Sequence, residues 1–160
     1  MENEKLTYIN SRGERLELGV DSVYHCNISK DVEGISGVTS VIYSTNSMGQ
    51  HGDTYVGQRI EARDIDVVGH INTRGKAQAL ELRRRMLKIF NPELSATLVY
   101  EYGGFKRVID CRAYGEPKIL KKEVLYEFDL QIECLNPFWR EEEETKEDIA
   151  SWVAAWHFPC

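Results

Sequence analysis

Between Lys122 and Leu135 apolar and polar side chains alternate along the chain. Val124, Tyr126, Phe128, Leu130, Ile132 and Cys134 share one parity, and Glu127, Asp129, Gln131 and Glu133 the other. A period of two sustained over this length specifies a strand with one buried and one wet face, and it excludes a helix. The sheet that contains it must cover an apolar core on one side. Pro137 cannot donate to a ladder, so the strand is expected to stop at Leu135 or Asn136.

A partner hairpin is legible upstream. Gly103-Gly104 supplies the two positive-φ positions of a tight turn joining residues 94–102 to residues 105–113. With Tyr102 opposite Phe105, Tyr100 faces Arg107, Leu98 faces Ile109, Ala96 faces Cys111 and Glu101 meets Lys106, all compatible cross-strand pairs. A turn around Gly115, Glu116 and Pro117 is expected to separate this hairpin from the long strand. Residues 6–9 and 16–18 read as short strands around Asn10-Ser11-Arg12-Gly13. Residues 23–28 and 38–43 read as two more, with a loop at 30–37 between them. Residues 44–57 are dense in turn formers and predict a long loop. In residues 59–71 the apolar parity changes from Ile60 and Ala62 to Ile65, Val67 and Ile71, which predicts a β-bulge near Arg63-Asp64.

Residues 73–90 predict an amphipathic helix, with Ala79, Leu82, Met86, Ile89 and Phe90 in one stripe and Arg84, Arg85 and Lys88 opposite. Asn91-Pro92 ends it. The cluster Arg83-Arg84-Arg85 suits a solvated face near the C-terminal end of the helix dipole. Glu141 to Glu144 predict the start of a second helix, whose stripe Ile149, Trp152, Val153 and Trp156 either covers this domain or packs on a neighbour. The expected fold is therefore mainly β, a β-sandwich or split barrel, with one central helix and a C-terminal helix, α+β by content. One domain is expected over residues 1–139, followed by a helical extension at 140–160. The final His157-Phe158-Pro159-Cys160 reads as the start of another segment.

Composition narrows the function classes. A chain of 160 residues, 42% hydrophobic and 29% charged, fits one soluble domain with a real core and has no apolar run long enough to cross a bilayer. Its opening residues lack the basic start and apolar stretch of a signal peptide, so synthesis in a cytoplasm is expected. A net charge of −6 argues against general nucleic-acid binding, which draws its affinity from Lys and Arg. Cys26, Cys111, Cys134 and Cys160 are too scattered for a structural zinc site, and the first three are expected as buried or half-buried apolar positions. No phosphate-binding Gly-rich loop, His-Glu-x-x-His or Gly-x-Ser-x-Gly motif occurs. His51 beside Asp53, and Asp64 with Asp66, are placed as site residues often are. Residues two apart on a strand lie about 7 Å apart and usually both face water, so the solvated reading is preferred for the acids, as it is for the loop histidine. No catalytic residue, metal site or cofactor is expected, and an interaction role is the better default.

Four features recur in a fixed order: the opening strand with Asn10-Ser11-Arg12-Gly13-Glu14, the Gly-rich run Gly49-Gln50-His51-Gly52-Asp53, the strand and helix leading to Phe90-Asn91-Pro92, and the last strand closing on Asn136-Pro137-Phe138-Trp139. In order and spacing, over nearly the whole chain, they resemble the siphophage tail-component family, whose best-known members are the distal tail proteins. The resemblance implies a non-enzymatic ring-forming domain at residues 1–139, six copies of which surround the tail channel and join the tube to the baseplate or tip hub. Its implied partners are other copies of itself and the tube and hub proteins. Its implied place is the virion tail tip, after assembly in the bacterial host cytoplasm. Family members often continue into a galectin-like domain, and Phe158-Pro159 resembles the start of such a continuation. Under this reading Met48, Gln50, His51, Asp53 and Tyr55 are candidate subunit contacts or channel lining, and Ile149, Trp152, Val153 and Trp156 are candidate packing residues. The acidic surplus would make part of the channel wall negative. The rival readings are a carbohydrate- or protein-binding surface module that uses Tyr and Trp as stacking platforms, a tail tube or completion protein, and a peptidoglycan-cleaving tail enzyme acting through Asp64.

Overall fold

The computed structural model describes residues 4–19, 26–29, 32–73, 75–122 and 125–142. In chain order the described elements are β1 (Lys5–Asn10), β2 (Arg15–Gly19), β3 (Cys26–Ile28), β4 (Ser40–Thr45), β5 (Thr54–Ile60), β6 (Arg63–Ile71), α1 (Lys76–Ile89), β7 (Ser95–Tyr102), β8 (Phe105–Lys122), β9 (Leu125–Cys134) and β10 (Arg140–Glu141). All strand pairs are antiparallel, and eight strands form one sheet in the order β2-β1-β7-β8-β9-β6-β3, with β10 on an edge of β8. The sheet curls until β3 comes back against β2, which makes a nearly closed barrel. Of the two expected architectures the barrel is the one adopted.

Its interior is built from the inward parity of each strand. Leu6, Tyr8, Leu18, Ile65, Val67, Leu98, Ile109, Phe128 and Leu130 are all essentially inaccessible to solvent. Burial of one such side chain contributes about 1.5–3 kcal/mol. On β9 the predicted face appears as read, with Phe128, Leu130, Ile132 and Cys134 buried and Tyr126 packed against them. Val124 lies outside the described residues. The β7–β8 register matches the sequence reading at every pair named above, from Tyr102↔Phe105 to Ala96↔Cys111. Cys26, Cys111 and Cys134 are buried as expected.

Helix α1 lays Ala79, Met86 and Ile89 inward, with Leu82 half-buried and Arg83, Arg84, Arg85 and Lys88 exposed. It packs near β2, and the Phe90 ring meets Tyr8 at 4.9 Å between centroids. The opening turn is held by Asn10, buried despite its amide. Its Oδ1 accepts from the Arg12 and Glu14 amides at 3.1 and 3.0 Å, and its Nδ2 donates to the Ile89 carbonyl at 3.2 Å. One side chain thereby closes the hairpin and answers a carbonyl at the end of the helix.

Four expectations need correction. The parity change at residues 60–65 is no bulge: β5 ends at Ile60, β6 begins at Arg63, and the two strands belong to different sheets. Residues 44–57 are not one long loop, because Ser44 and Thr45 still pair with Tyr55 and Thr54, leaving a tip of residues 46–53. At residues 115–117 the strand does not turn. Between Tyr114↔Gln131 and Lys118↔Asp129, β8 advances four residues while β9 advances two, so the excess is absorbed as a bulge, with Gly115 at φ 65°. Pro117 is tolerated there because a bulge leaves amides outside the ladder. Finally, Glu141 begins no helix: Arg140 and Glu141 pair with Val108 and Arg107 of β8. Residues 143–160, which carry the expected C-terminal helix and its stripe Ile149, Trp152, Val153 and Trp156, lie outside the described residues.

Candidate assembly surfaces

β4 and β5 pair only with each other and form a hairpin arm separate from the barrel. Along the arm Ile42, Tyr43, Tyr55, Val56 and Ile60 are exposed, and Met48 at the tip is fully so. A lone two-stranded hairpin is marginal in water, and clustered apolar side chains on a surface mark a contact with another molecule.

The tip is nevertheless ordered by its own polar groups. The Asp53 carboxylate accepts from Ser44 Oγ at 3.3 Å and from Asn46 Nδ2 at 3.2 Å. Gln50 receives the Ser47 amide on Oε1 at 3.2 Å and donates through Nε2 to Thr54 Oγ1 at 2.8 Å. Gly49 and Gly52, at φ 83° and 76°, take the left-handed positions that this path requires. Asp53 and Gln50 therefore shape the tip, while Met48 and Tyr55 are presented by it. His51 is solvent-exposed and lies on the same tip. The five residues singled out on the sequence are thus brought together at the end of the arm.

The base of the arm is fastened by Arg63, a buried cation that the sequence reading passed over. Its Nε donates to the Pro137 carbonyl at 3.0 Å, and its Nη1 donates to the Gly34 carbonyl. The Glu61 amide also reaches the Thr39 carbonyl at 2.9 Å across the two strands. Arg63 shares the inward parity of Ile65 and Val67, which was the available signal.

Beside this base lies an aromatic pocket of about 230 Å³, lined by Ile35, Tyr100, Tyr102, Phe105, Arg107 and Trp139. Tyr100 stacks parallel to Tyr102 and tilts against Trp139, at 6.5 and 6.1 Å between centroids. Burial, followed by a hydrogen bond to Glu4, pushes the Tyr100 hydroxyl up to about 12, so it stays protonated. Phe105 and Tyr102 remain largely exposed at the mouth. The Trp139 indole N–H is buried and has no acceptor among the described residues. Register alone predicts Tyr100 opposite Arg107 and Tyr102 opposite Phe105; the contributions of Ile35 and Trp139 are tertiary.

The outer face of β6 and β9 is acidic. Asp64 pairs across from Glu133, and Asp66 from Gln131. Asp66 is raised above its ordinary value by partial burial first, then by Asp129, Glu33 and Asp64. Among the described residues no group of three or more His, Cys, Asp or Glu side chains is arranged to hold a metal ion. A shallower groove of about 450 Å³ runs past Asn10, Thr97, Asp110 and Arg112, and Arg140 closes on Asp110 there through two bonds of 2.6 and 2.8 Å.

The profile of a family described as phage tail protein RIFT-related domain matches residues 12–134. No protein with a curated description matches the sequence. Among solved structures, the fold is similar to that of the SPP1 Dit protein, described as a paradigm of the hub adsorption apparatus in phages infecting Gram-positive bacteria. The TM-score is 0.63 at 14% identity, over 85% of this chain and 52% of that one. It is also similar to a chain of the phage p2 baseplate in its activated conformation, with a TM-score of 0.59 at 13% identity over 86% of this chain and 45% of that one. A chain of the anti-feeding prophage baseplate gives 0.51 at 8% identity, over 88% and 92%. The chain spans about half the length of the first two.

Proposed function

Because the chain belongs to the phage tail protein RIFT-related domain family, we propose that it is a structural component of the tail tip, assembling as a ring of six copies between the tail tube and the baseplate or hub. Residues 1–139 are the ring-forming unit, and the stripe Ile149, Trp152, Val153 and Trp156 beyond it is a packing surface for this domain or a neighbour. The observation that carries the reading is the β4–β5 arm, an ordered hairpin with apolar side chains on view and no place in its own barrel. In a closed ring every subunit presents two different, complementary surfaces, and a projecting arm is suited to be one of them. Met48 at its tip and Tyr55 on the adjoining strand make the contact, while Gln50 and Asp53 hold the tip's shape.

The acidic outer face of β6 and β9 is the best candidate for channel wall, where concentrated negative charge would keep passing DNA from adhering. The chain's partners are then other copies of itself and the tube and hub proteins, and its location is the virion. Light scattering on the purified full chain at high concentration, with negative-stain electron microscopy, tests this. A pored ring is expected. A strict monomer that also fails to join tail tubes would refute it.

A further inference from the structure

We infer that the aromatic pocket beside the arm's base is the socket for the arm tip of a second copy, so that pocket and tip are the two halves of one repeated contact. The inference rests on the ring reading above and names the surfaces that close the ring.

Two features of the pocket are unanswered within the described residues: its aromatic walls stand open at Phe105 and Tyr102, and the Trp139 indole N–H lacks an acceptor. The tip offers a counterpart to each. Met48 is fully exposed, and its flexible thioether packs favourably against aromatic rings. A volume of about 230 Å³ has room for one or two such side chains. The tip's backbone carbonyls are acceptors for the indole. Asp53 is the single acidic residue between Thr39 and Gln58. It already accepts two hydrogen bonds, yet a carboxylate has about four acceptor sites, which leaves capacity for Arg107.

The arm is rooted next to its own pocket. Arg63 bonds Gly34 and Pro137, while Ile35 and Trp139, close by on the same two segments, line the pocket. An extended hairpin rises about 3.3 Å per residue, so residues 40–48 carry the tip roughly 25 Å from that root. A tip held at that distance does not fill the pocket beside its own base. The reach is of the order of the ~35 Å width of a globular body of this size, which suits a neighbouring copy. Arm in socket, repeated head to tail, is a heterologous contact that closes into a ring.

The test is a full-length chain carrying Met48→Cys and Phe105→Cys on a Cys160→Ser background, oxidised and run without reductant. The inference expects a ladder of covalent oligomers ending at the ring size, while each single variant stays monomeric on the gel. Rings seen by light scattering without a ladder would overturn the socket and leave the ring reading standing. Absence of rings from the unmodified chain would overturn both. A second measurement avoids new cysteines. Met48→Asp and Phe105→Asp chains, each monomeric alone, are expected to form a dimer when mixed one to one, because one arm and one socket remain intact. Rings from either variant alone, or no dimer from the mixture, would overturn the socket.

Discussion

Replacing Arg63 with Met keeps most of the side chain's volume inside the body while removing both donors. The carbonyls of Pro137 and Gly34 then lose their hydrogen bonds from this cation. A hydrogen bond from a charged donor contributes about 1.5–3 kcal/mol, so two set an upper range of about 3–6 kcal/mol. Part returns, because the cation no longer has to be desolvated and hydrophobic replacement of buried ions recovers a few kcal/mol. A net loss of about 2 kcal/mol is expected, which for a chain of this size lowers Tm by about 4–8 °C. Arg63→Lys retains the charge but not the fork, and should fall between the two. Urea unfolding at unchanged slope measures the loss, and hydrogen exchange should show faster opening of residues 34–40 and 136–139 than of β7. An Arg63→Met chain within about 0.5 kcal/mol of the parent, with those amides equally protected, would refute the claim that this residue fastens the arm.

Gly69→Ala should cost about 1–3 kcal/mol by overpacking, since an added Cβ would lie 2.3 Å from both the Asn27 carbonyl oxygen and the Phe128 ring; thermal melts measure it. Cutting the arm back to a short Asn-Gly turn in place of residues 46–53 should leave Tm nearly unchanged while abolishing ring formation, because that tip contributes nothing to the barrel core. Asp110 sits below its ordinary carboxylate value chiefly through its bond to Arg140, so its contribution to stability is present above about 3.8 and is lost as pH falls through the depressed value. Both partners are substantially exposed, so Asp110→Asn should cost only about 0.5 kcal/mol at neutral pH and flatten that part of the acid limb in urea titrations. Asp66 is shifted the opposite way. Its protonated form contributes stability that is lost as pH rises through the raised value, so Asp66→Asn should be slightly more stable than the parent at neutral pH, by the same titration.

How much of this was legible depended on how far apart the interacting residues stand in the chain. The alternation of β9, the Gly103-Gly104 turn with its full β7–β8 register, the Asn10 hairpin and the buried stripe of α1 were all readable, because each is decided by side-chain period or turn chemistry within a few residues. The tip residues of the candidate site were readable for the same reason: Gly49 and Gly52 announce a special backbone path. The socket was not, because Ile35, Tyr100 and Trp139 come from three distant stretches and meet only once the sheet has curled.

By itself, then, the sequence determined the alternating face of β9, the apolar stripe of α1 and the register of the β7–β8 hairpin, since those are local choices of backbone and burial. The tertiary structure alone decided which sheet each strand joins. A parity change at Ile60 and Ile65 has the same appearance whether it marks a bulge or a passage between sheets. Arg63 resolves it through carbonyls 29 and 74 residues away, at Gly34 and Pro137. That long-range bonding anchors the chain on either side of the β4–β5 hairpin, which pairs only with itself and stands exposed as an arm.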